Sequence, residues 1–309
     1  MHHRISRVCA GGLGLAFLLL TARGAKSQVD LSAWPQVRME VLAVDQNGLP
    51  VEGVTADALV VRPPQKPAEA VTALVPSTEP QSVCVLLDAS DSLGDGLKIL
   101  LTKTRRLLKN LPADDEVCVA VFAAKMWVAQ PLTGDRGAVL QAVAQVQPTQ
   151  GTQLRDGLAD LARYMRGAAR FRSRAVILIS DGTDRHSVTT NEQLKRELET
   201  DGSPVVHMIC LPVAFGRARN KQAEPHAGTA FKLHDFSGGL TYFPHTMMDI
   251  DSVVDTLPAT MRARYIVTYV AENAARDGHE ERIEISFDKA HQDMKARIQG
   301  PEGYYAPSK

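Results

Sequence analysis

The stretch SVCVLLDASDSLGDGL, residues 82 to 97, is an apolar run that ends in two carboxylates and two hydroxyls: Asp88, Ser90, Asp91 and Ser92. Oxygen donors at that density suit a hard divalent cation. Mg2+ takes oxygen ligands in near-octahedral geometry and keeps several of its waters. Two further segments bring the same atom types. Thr152 lies in PTQGTQLRDG, a glycine-containing loop that opens a helix, and Asp181 in VILISDGTD closes a strand. Ser90, Ser92 and Thr152 offer neutral hydroxyls, while Asp88 and Asp181 offer charge, directly or through metal-bound water. Such a donor set is poor in charge, so a cation held there stays electrophilic toward a carboxylate from a partner. Each piece alone also has a plainer account. Ser92 before a helix reads as an N-cap, Thr152 can cap its own helix, and Asp181-Gly182 is ordinary turn chemistry.

The elements around these residues decide whether they meet. From residue 82 the chain alternates strands with helices. SVCVLLD, EVCVAVFAA, MWVAQPL, SRAVILISDG and PVVHMICLP read as strands. LKILLTKTRRLLKNL, GAVLQAVAQV, QLRDGLADLARYMRGA and NEQLKRELET read as helices. AFKLHDFSGGLTYFP reads as a helix, a Gly-Gly stop and a short strand, and a last helix runs near Asp249 to Arg262. Continuous apolar strands between amphipathic helices predict a mostly parallel sheet covered on both faces. In such sheets ligands bind beyond the carboxyl ends of the strands, where strand order reverses. Asp88, Thr152 and Asp181 all fall on that rim.

The flanks are β in character. Residues 36 to 62 alternate, with Val37, Met39 and Val41 on one face and a turn signal at Asn47-Gly48. ARYIVTYVAE, ERIEISFD and MKARIQG read as closing strands. The expected organisation is a signal peptide at 1–27, an N-terminal β region at 28–80, an α/β domain at 81–263 and a C-terminal β region at 264–309. The two β regions should pair into one small β-sandwich into which the α/β domain is inserted.

Composition narrows the function classes. The chain carries 35 basic and 35 acidic residues among 309. That balance argues against a global attraction to nucleic acid or to anionic membrane. MHHRISR followed by the apolar run Val8 to Leu20 and TARGAKSQ reads as an export signal, cleaved after Gly24 or Ser27. The apolar run is too short to span a bilayer, which needs about 20 residues, so no membrane span is expected after cleavage. Cys84, Cys118 and Cys210 remain in the mature protein. Three buried free thiols are the expectation, with Cys84 and Cys118, on neighbouring strands, as the candidate pair.

With those residues in hand, the chain resembles the von Willebrand factor A (VWA) domain with its metal-ion-dependent adhesion site. The family's DxSxS motif matches Asp88, Ser90 and Ser92; its threonine matches Thr152 and its later aspartate Asp181. The resemblance implies a six-stranded doubly wound sheet of order 3-2-1-4-5-6, with MWVAQPL as the antiparallel strand. It implies that the hydroxyls ligate directly and that the aspartates act through water. Asp91 departs from the usual glycine of DxSGS and adds a carboxylate beside the metal, which would weaken the grip on partner acids or favour Ca2+ or Mn2+ over Mg2+. The opening and closing β segments, with SGGLTYF and RYIVTYVAENAARDGHEERIEISF, are similar to exported VWFA-related proteins of acidobacteria.

Around the metal the rim candidates are Asp91, Asp184, His186, Arg217 and Arg219. His186 is a base candidate, and the arginines, with Lys221, would dock an acidic partner. Three functions follow. A binding module would grip an acidic side chain of a protein partner through the metal. A metal-dependent hydrolase would use the same cation. A purely structural role would leave the site without metal. The motifs hold no paired His ligands, Cys–His pair, GxSxG elbow, GxxxxGK[ST] loop or DxD, so the binding module is the expected function and no catalytic residue is assigned.

Overall fold

The computed structural model describes residues 29–45, 49–94, 96–200, 202–211, 238–291 and 296–308. The signal segment, the Asn47-Gly48 turn, the helix expected in AFKLHDF, and Arg217, Arg219 and Lys221 lie outside the described residues. Among the described residues no helix is long and apolar enough to cross a membrane.

The α/β part has a six-stranded sheet. Its strands are β6 (Ser82–Asp88), β7 (Glu116–Phe122), β8 (Met126–Thr133), β9 (Arg174–Ser180), β10 (Val205–Cys210) and β11 (Thr241–Tyr242). Read across the sheet the order is β8-β7-β6-β9-β10-β11, the expected 3-2-1-4-5-6. Every pairing is parallel except β7–β8. The continuous apolar runs follow from burial on both faces. Along β6, Val83, Val85 and Leu87 enter one core and Cys84 and Leu86 the other, as the two-residue period of a strand requires. Helices α1 (Gly96–Asn110), α2 (Arg136–Gln145), α3 (Leu154–Ala168), α4 (Asn191–Leu198) and α5 (Met247–Arg262) cover the faces. The first core takes Leu97, Leu100, Leu107 and Leu108 of α1 together with Ile250, Val254 and Leu257 of α5. The second takes Leu154, Leu158, Leu161 and Met165 of α3. Both sets recur at the helical spacing that makes one apolar stripe.

The cysteine expectation is corrected. Cys84 and Cys118 are disulfide-bonded, and only Cys210 is a free, buried thiol among the described residues. The physical reason is register. The two residues are direct partners on adjacent parallel strands, with Cα atoms 4.6 Å apart and both side chains on one face. That separation is within the range a disulfide spans.

The flanking segments do pair. Strand β2 (Gln36–Asp45) is central. It is flanked by β12 (Arg264–Val270) on one edge and by β1 (Val29–Asp30) and β15 (Ala296–Gln299) on the other, while β5 (Ala73–Pro76) adds to β12. A second sheet joins β14 (Glu284–Phe287), β3 (Leu59–Arg62) and β4 (Glu69–Ala70). Strands β13 (Glu280–Arg282) and β16 (Gly303–Tyr305) form a third. Met39, Leu59, Val61, Val267, Tyr269, Phe287 and Tyr304 from all three share one core. Val37, Met39 and Val41 are buried as the alternation predicts, but Leu42 and Val44 on the opposite face are buried too, against Leu240 of the α/β part. The expected strand ERIEISFD is in fact two, because the chain changes sheets at Ile283.

A buried polar knot joins the two parts at the amino ends of the sheet strands. Arg264, 4% exposed, pairs with Glu40 Oε2 at 2.6 Å, donates to the Glu79 carbonyl at 3.0 Å, and donates to Ser173 Oγ. Ser173 in turn donates to Glu40 and accepts from Gln81 Nε2. Burial, and after it the Arg264 charge, pushes the neighbouring His207 down to about 4, so it is neutral at physiological pH.

The disulfide closes a loop of 34 residues. On chain-entropy grounds a bridge of that span stabilises by about 2–4 kcal/mol. A Cys84→Ala/Cys118→Ala variant should therefore unfold at lower denaturant concentration, with an m-value equal to or larger than the parent's because its unfolded chain is no longer looped, and the parent should titrate one thiol only after denaturation. Equal midpoints for the two proteins would contradict the bridge.

Candidate metal centre

The site is built where strand order reverses. β6 and β9 are neighbours, yet the chain leaves their carboxyl ends in different directions. Asp88 ends β6, and Asp181 follows β9 directly. Main-chain hydrogen bonds then stitch the rim loops into one body. Ala89 N donates to Phe122 O, Thr149 N to Ala89 O, Asp91 N to Thr149 O, Gln153 N to Ala123 O and Arg185 N to Thr152 O, all at 2.8–3.0 Å. The Thr152 loop can lie this close because of Gly151. Its φ is +93°, and an added Cβ would stand 2.7 Å from Ala124 Cβ. Any other residue there would be strained twice over.

Asp88 is fully buried. Its Oδ1 accepts from Ser90 N at 2.9 Å and its Oδ2 from Ser180 Oγ at 2.7 Å. Burial pushes its carboxyl up to about 6. The Ser90 and Ser180 hydrogen bonds oppose that rise, and the Asp181 charge adds to it. Among the described residues no cation pairs with Asp88. Asp181, also buried, accepts from Thr183 N at 2.9 Å in a local turn, so its turn chemistry and its place at the rim coexist. Ser90, which donates its amide to Asp88, and Thr152 on the adjoining loop are buried as well. Ser92 sits with Asp91 in the 3-10 turn Asp91–Leu93, and Asp91 is exposed.

The plainer account of Thr152 fails. Helix α3 begins at Leu154 with Gln153 as N-cap, which makes no side-chain capping bond. The orphan amides are capped from across the rim instead: Arg155 N donates to Asp184 Oδ2 at 2.9 Å, and Asp156 N to Ser187 Oγ at 3.2 Å. Asp184 also pairs with Arg155 Nε at 3.1 Å and has a side chain only 4% exposed. It is a clamp between two loops. His186 is exposed, and Gln153 holds only its backbone carbonyl.

The sequence reading missed Ser180. It is fully buried, donates to Asp88 and accepts from Gly182 N at 3.0 Å, tying both aspartate turns together. Its signal was a lone hydroxyl ending the apolar run AVILI. Nearby, burial and the Asp181 charge push the Cys210 thiol up to about 12, so it stays protonated.

These residues fit a hard cation. Among the described residues no three His, Cys, Asp or Glu side chains cluster as metal ligands; the donors here are mostly hydroxyls. A buried carboxylate whose ionisation the neighbouring Asp181 charge makes costlier, with hydroxyl-bearing residues on the same rim, makes a place where positive charge is favoured.

Residues 83–183 match the family model of the von Willebrand factor type A domain, a span holding all five candidate ligands. Among solved structures, a von Willebrand factor type A protein from Catenulispora acidiphila aligns at 14% identity and a TM-score of 0.50, covering 93% of this chain and 75% of that one. The conserved hypothetical protein BatB from Bacteroides thetaiotaomicron aligns at 17% identity and a TM-score of 0.46, over 59% of this chain and 98% of that one. The vWF domain of the type V pili tip protein Mfa5 from Porphyromonas gingivalis aligns at 14% identity and 0.44, over 60% and 97%. No curated protein matches the chain.

Two outcomes test this geometry. A buried carboxyl raised from 3.8 to about 6 favours the folded state below pH 4, and that contribution is lost as pH rises through 6. The loss is on the order of 3 kcal/mol. In EDTA, the stability of the parent relative to Asp88→Asn should thus fall between pH 4 and 6.5; parallel curves would contradict it. Ser180→Ala should weaken Mn2+ binding by about tenfold, the worth of one buried hydrogen bond, with the fold kept by circular dichroism.

Proposed function

We propose that this VWA domain holds one divalent cation of the Mg2+ type, with Mn2+ or Ca2+ as alternatives, and uses it to grip an acidic side chain of a protein partner. The observation that carries the reading is Asp88: a carboxylate buried beside a second carboxylate and several hydroxyls, with no cationic side chain paired to it among the described residues. Ser90, Ser92 and Thr152 would supply hydroxyl oxygens, and Asp88 and Asp181 would hold metal-bound waters. When bound, the cation supplies an electrophilic position for a partner carboxylate. The chain's own part is to fix the donors. Ser180 orients Asp88, the Thr149 and Thr152 main-chain bonds set the loop heights, and the Asp184 clamp frees Thr152 from capping α3. Asp91, exposed at the rim, adds negative charge that favours Ca2+ or Mn2+.

The reading is of a binding module rather than a hydrolase. The donor set, poor in negative charge, leaves the cation electrophilic toward a carboxylate, and the one base candidate, His186, is exposed. We propose export as well: the basic and apolar N-terminal pattern supports it, and the Cys84–Cys118 bridge suits an oxidising compartment. The likeness of the β segments to exported VWFA-related proteins accords with this.

Calorimetry with Mg2+ and Mn2+ on the mature protein should show one site. Asp88→Ala should abolish it, and Thr152→Ala should weaken it by removing one donor hydroxyl, with the fold kept by circular dichroism. Unchanged binding in both variants would sink the assignment. Expressed in full, the chain should yield a mature form beginning near Ala25 or Gln28 outside the cytoplasm; retention with an intact Met1 would contradict export.

A further inference from the structure

Helix α1 departs from the charge pattern of the rest of the chain. The chain holds 35 basic and 35 acidic residues, yet α1, GLKILLTKTRRLLKN, carries Lys98, Lys103, Arg105, Arg106 and Lys109 and no acid. Its neighbour α2, RGAVLQAVAQ, adds Arg136 and again no acid. Toward α5, two of these charges are matched. Lys103 pairs with Asp251 at 2.5 Å, and Arg106 pairs with Asp251 at 3.3 Å and with Asp255, which also accepts from Asn110. These contacts fasten α1 to α5. Lys98, Arg105 and Lys109 are exposed, and among the described residues no ion pair holds them.

The three stand in one line. At 3.6 residues per turn, positions 98, 102, 105 and 109 fall within about 60° of one another, and at 1.5 Å per residue they run about 16 Å along the helix. Thr102, exposed between them, donates its hydroxyl to the Lys98 carbonyl at 2.9 Å. This line costs the helix stability. Lys98 stands in the first turn, where the macrodipole disfavours a cation. Arg105 and Lys109 are a like-charge pair four residues apart, which is also unfavourable. Lys109 alone suits its place, in the last turn. Among the described residues no carboxylate pairs with the three, and local rules broken without compensation in the fold mark functional surfaces.

The surroundings narrow the partner to one class. Every exposed residue of α1 is polar, because Leu97, Leu100, Leu107 and Leu108 turn into the core. The exposed line therefore offers no apolar wedge for lipid and no dry centre for a protein interface. Neither α1 nor α2 has an aromatic ring on which bases could stack. What the face does offer is a row of cations, matched by a polymer that carries acidic groups along its length and is otherwise hydroxylated. We propose that this face of α1 binds an acidic polysaccharide, whose carboxylate or sulfate groups lie along Lys98, Arg105 and Lys109. The contact needs no metal.

Biolayer interferometry with the full mature chain in EDTA compares four immobilised probes: a heparin oligosaccharide, a DNA duplex, polyglutamate and vesicles containing phosphatidylglycerol. Heparin should bind, and should bind less tightly as salt rises from about 50 to 200 mM, because each charge neutralised releases a counterion. Lys98→Gln/Arg105→Gln/Lys109→Gln should weaken heparin binding at least tenfold. Relieved of the first-turn cation and the like-charge pair, that variant should melt no lower than the parent. Arg276→Gln/Arg282→Gln/Lys289→Gln removes three exposed cations of the β part for the same change in net charge, and should stay within twofold of the parent. No binding to heparin at low salt, equal weakening in the two triple variants, or tighter binding to the DNA, the polyglutamate or the vesicles would overturn the proposal. A lower melting midpoint in the α1 variant would also overturn it, returning these charges to a structural role.

Discussion

A carboxylate buried at the end of a central strand is the constraint on which the site depends. Taken out of water, it must be protonated, hydrogen-bonded or matched by positive charge. Asp88 accepts hydrogen bonds from Ser90, main chain and side chain, and from Ser180 Oγ, which lower the cost of its charge without neutralising it. Asp181, close enough to raise its pKa further, makes its charge costlier still. The rest of the rim closes around that carboxylate. Gly151 lets the Thr152 loop approach, and the Asp184–Arg155 clamp takes over the capping of α3.

The sheet supplies the rigidity. Strands buried on both faces fix the heights of Asp88 and Asp181, and the disulfide between Cys84 and Cys118 fastens β6 to β7 within one of the two cores. At the opposite end of the strands, Arg264, Glu40 and Ser173 tie the α/β part to β2 and β12. The rim and the joint are thus at opposite ends of the same strands, and α5 runs directly into β12.

Much of this was legible in the sequence. The alternation of apolar runs and amphipathic stripes predicts the mostly parallel sheet, and the resemblance carried by DASDS, Thr152 and Asp181 predicts the strand order. What was not legible depends on register and on contacts between distant segments. Whether two thiols on neighbouring strands stand level is set by pairing, which the spacing of Cys84 and Cys118 does not reveal. The role of Asp184 as a clamp appears only when α3 and the loop after β9 meet. Ser180 was hidden because a hydroxyl ending a strand is common, and its partner lies 92 residues away. The division of ERIEISFD between two sheets follows from the change of neighbours at Ile283, from Glu302 to β3.

The most direct test of the metal centre is anomalous scattering from crystals of the mature protein grown with Mn2+. One peak is expected at the carboxyl end of β6, bounded by the side chains of Ser90, Ser92 and Thr152, and absent from Asp88→Ala crystals grown alike. A map with no peak between those hydroxyls at saturating Mn2+, or with the same peak in the variant, would contradict the account.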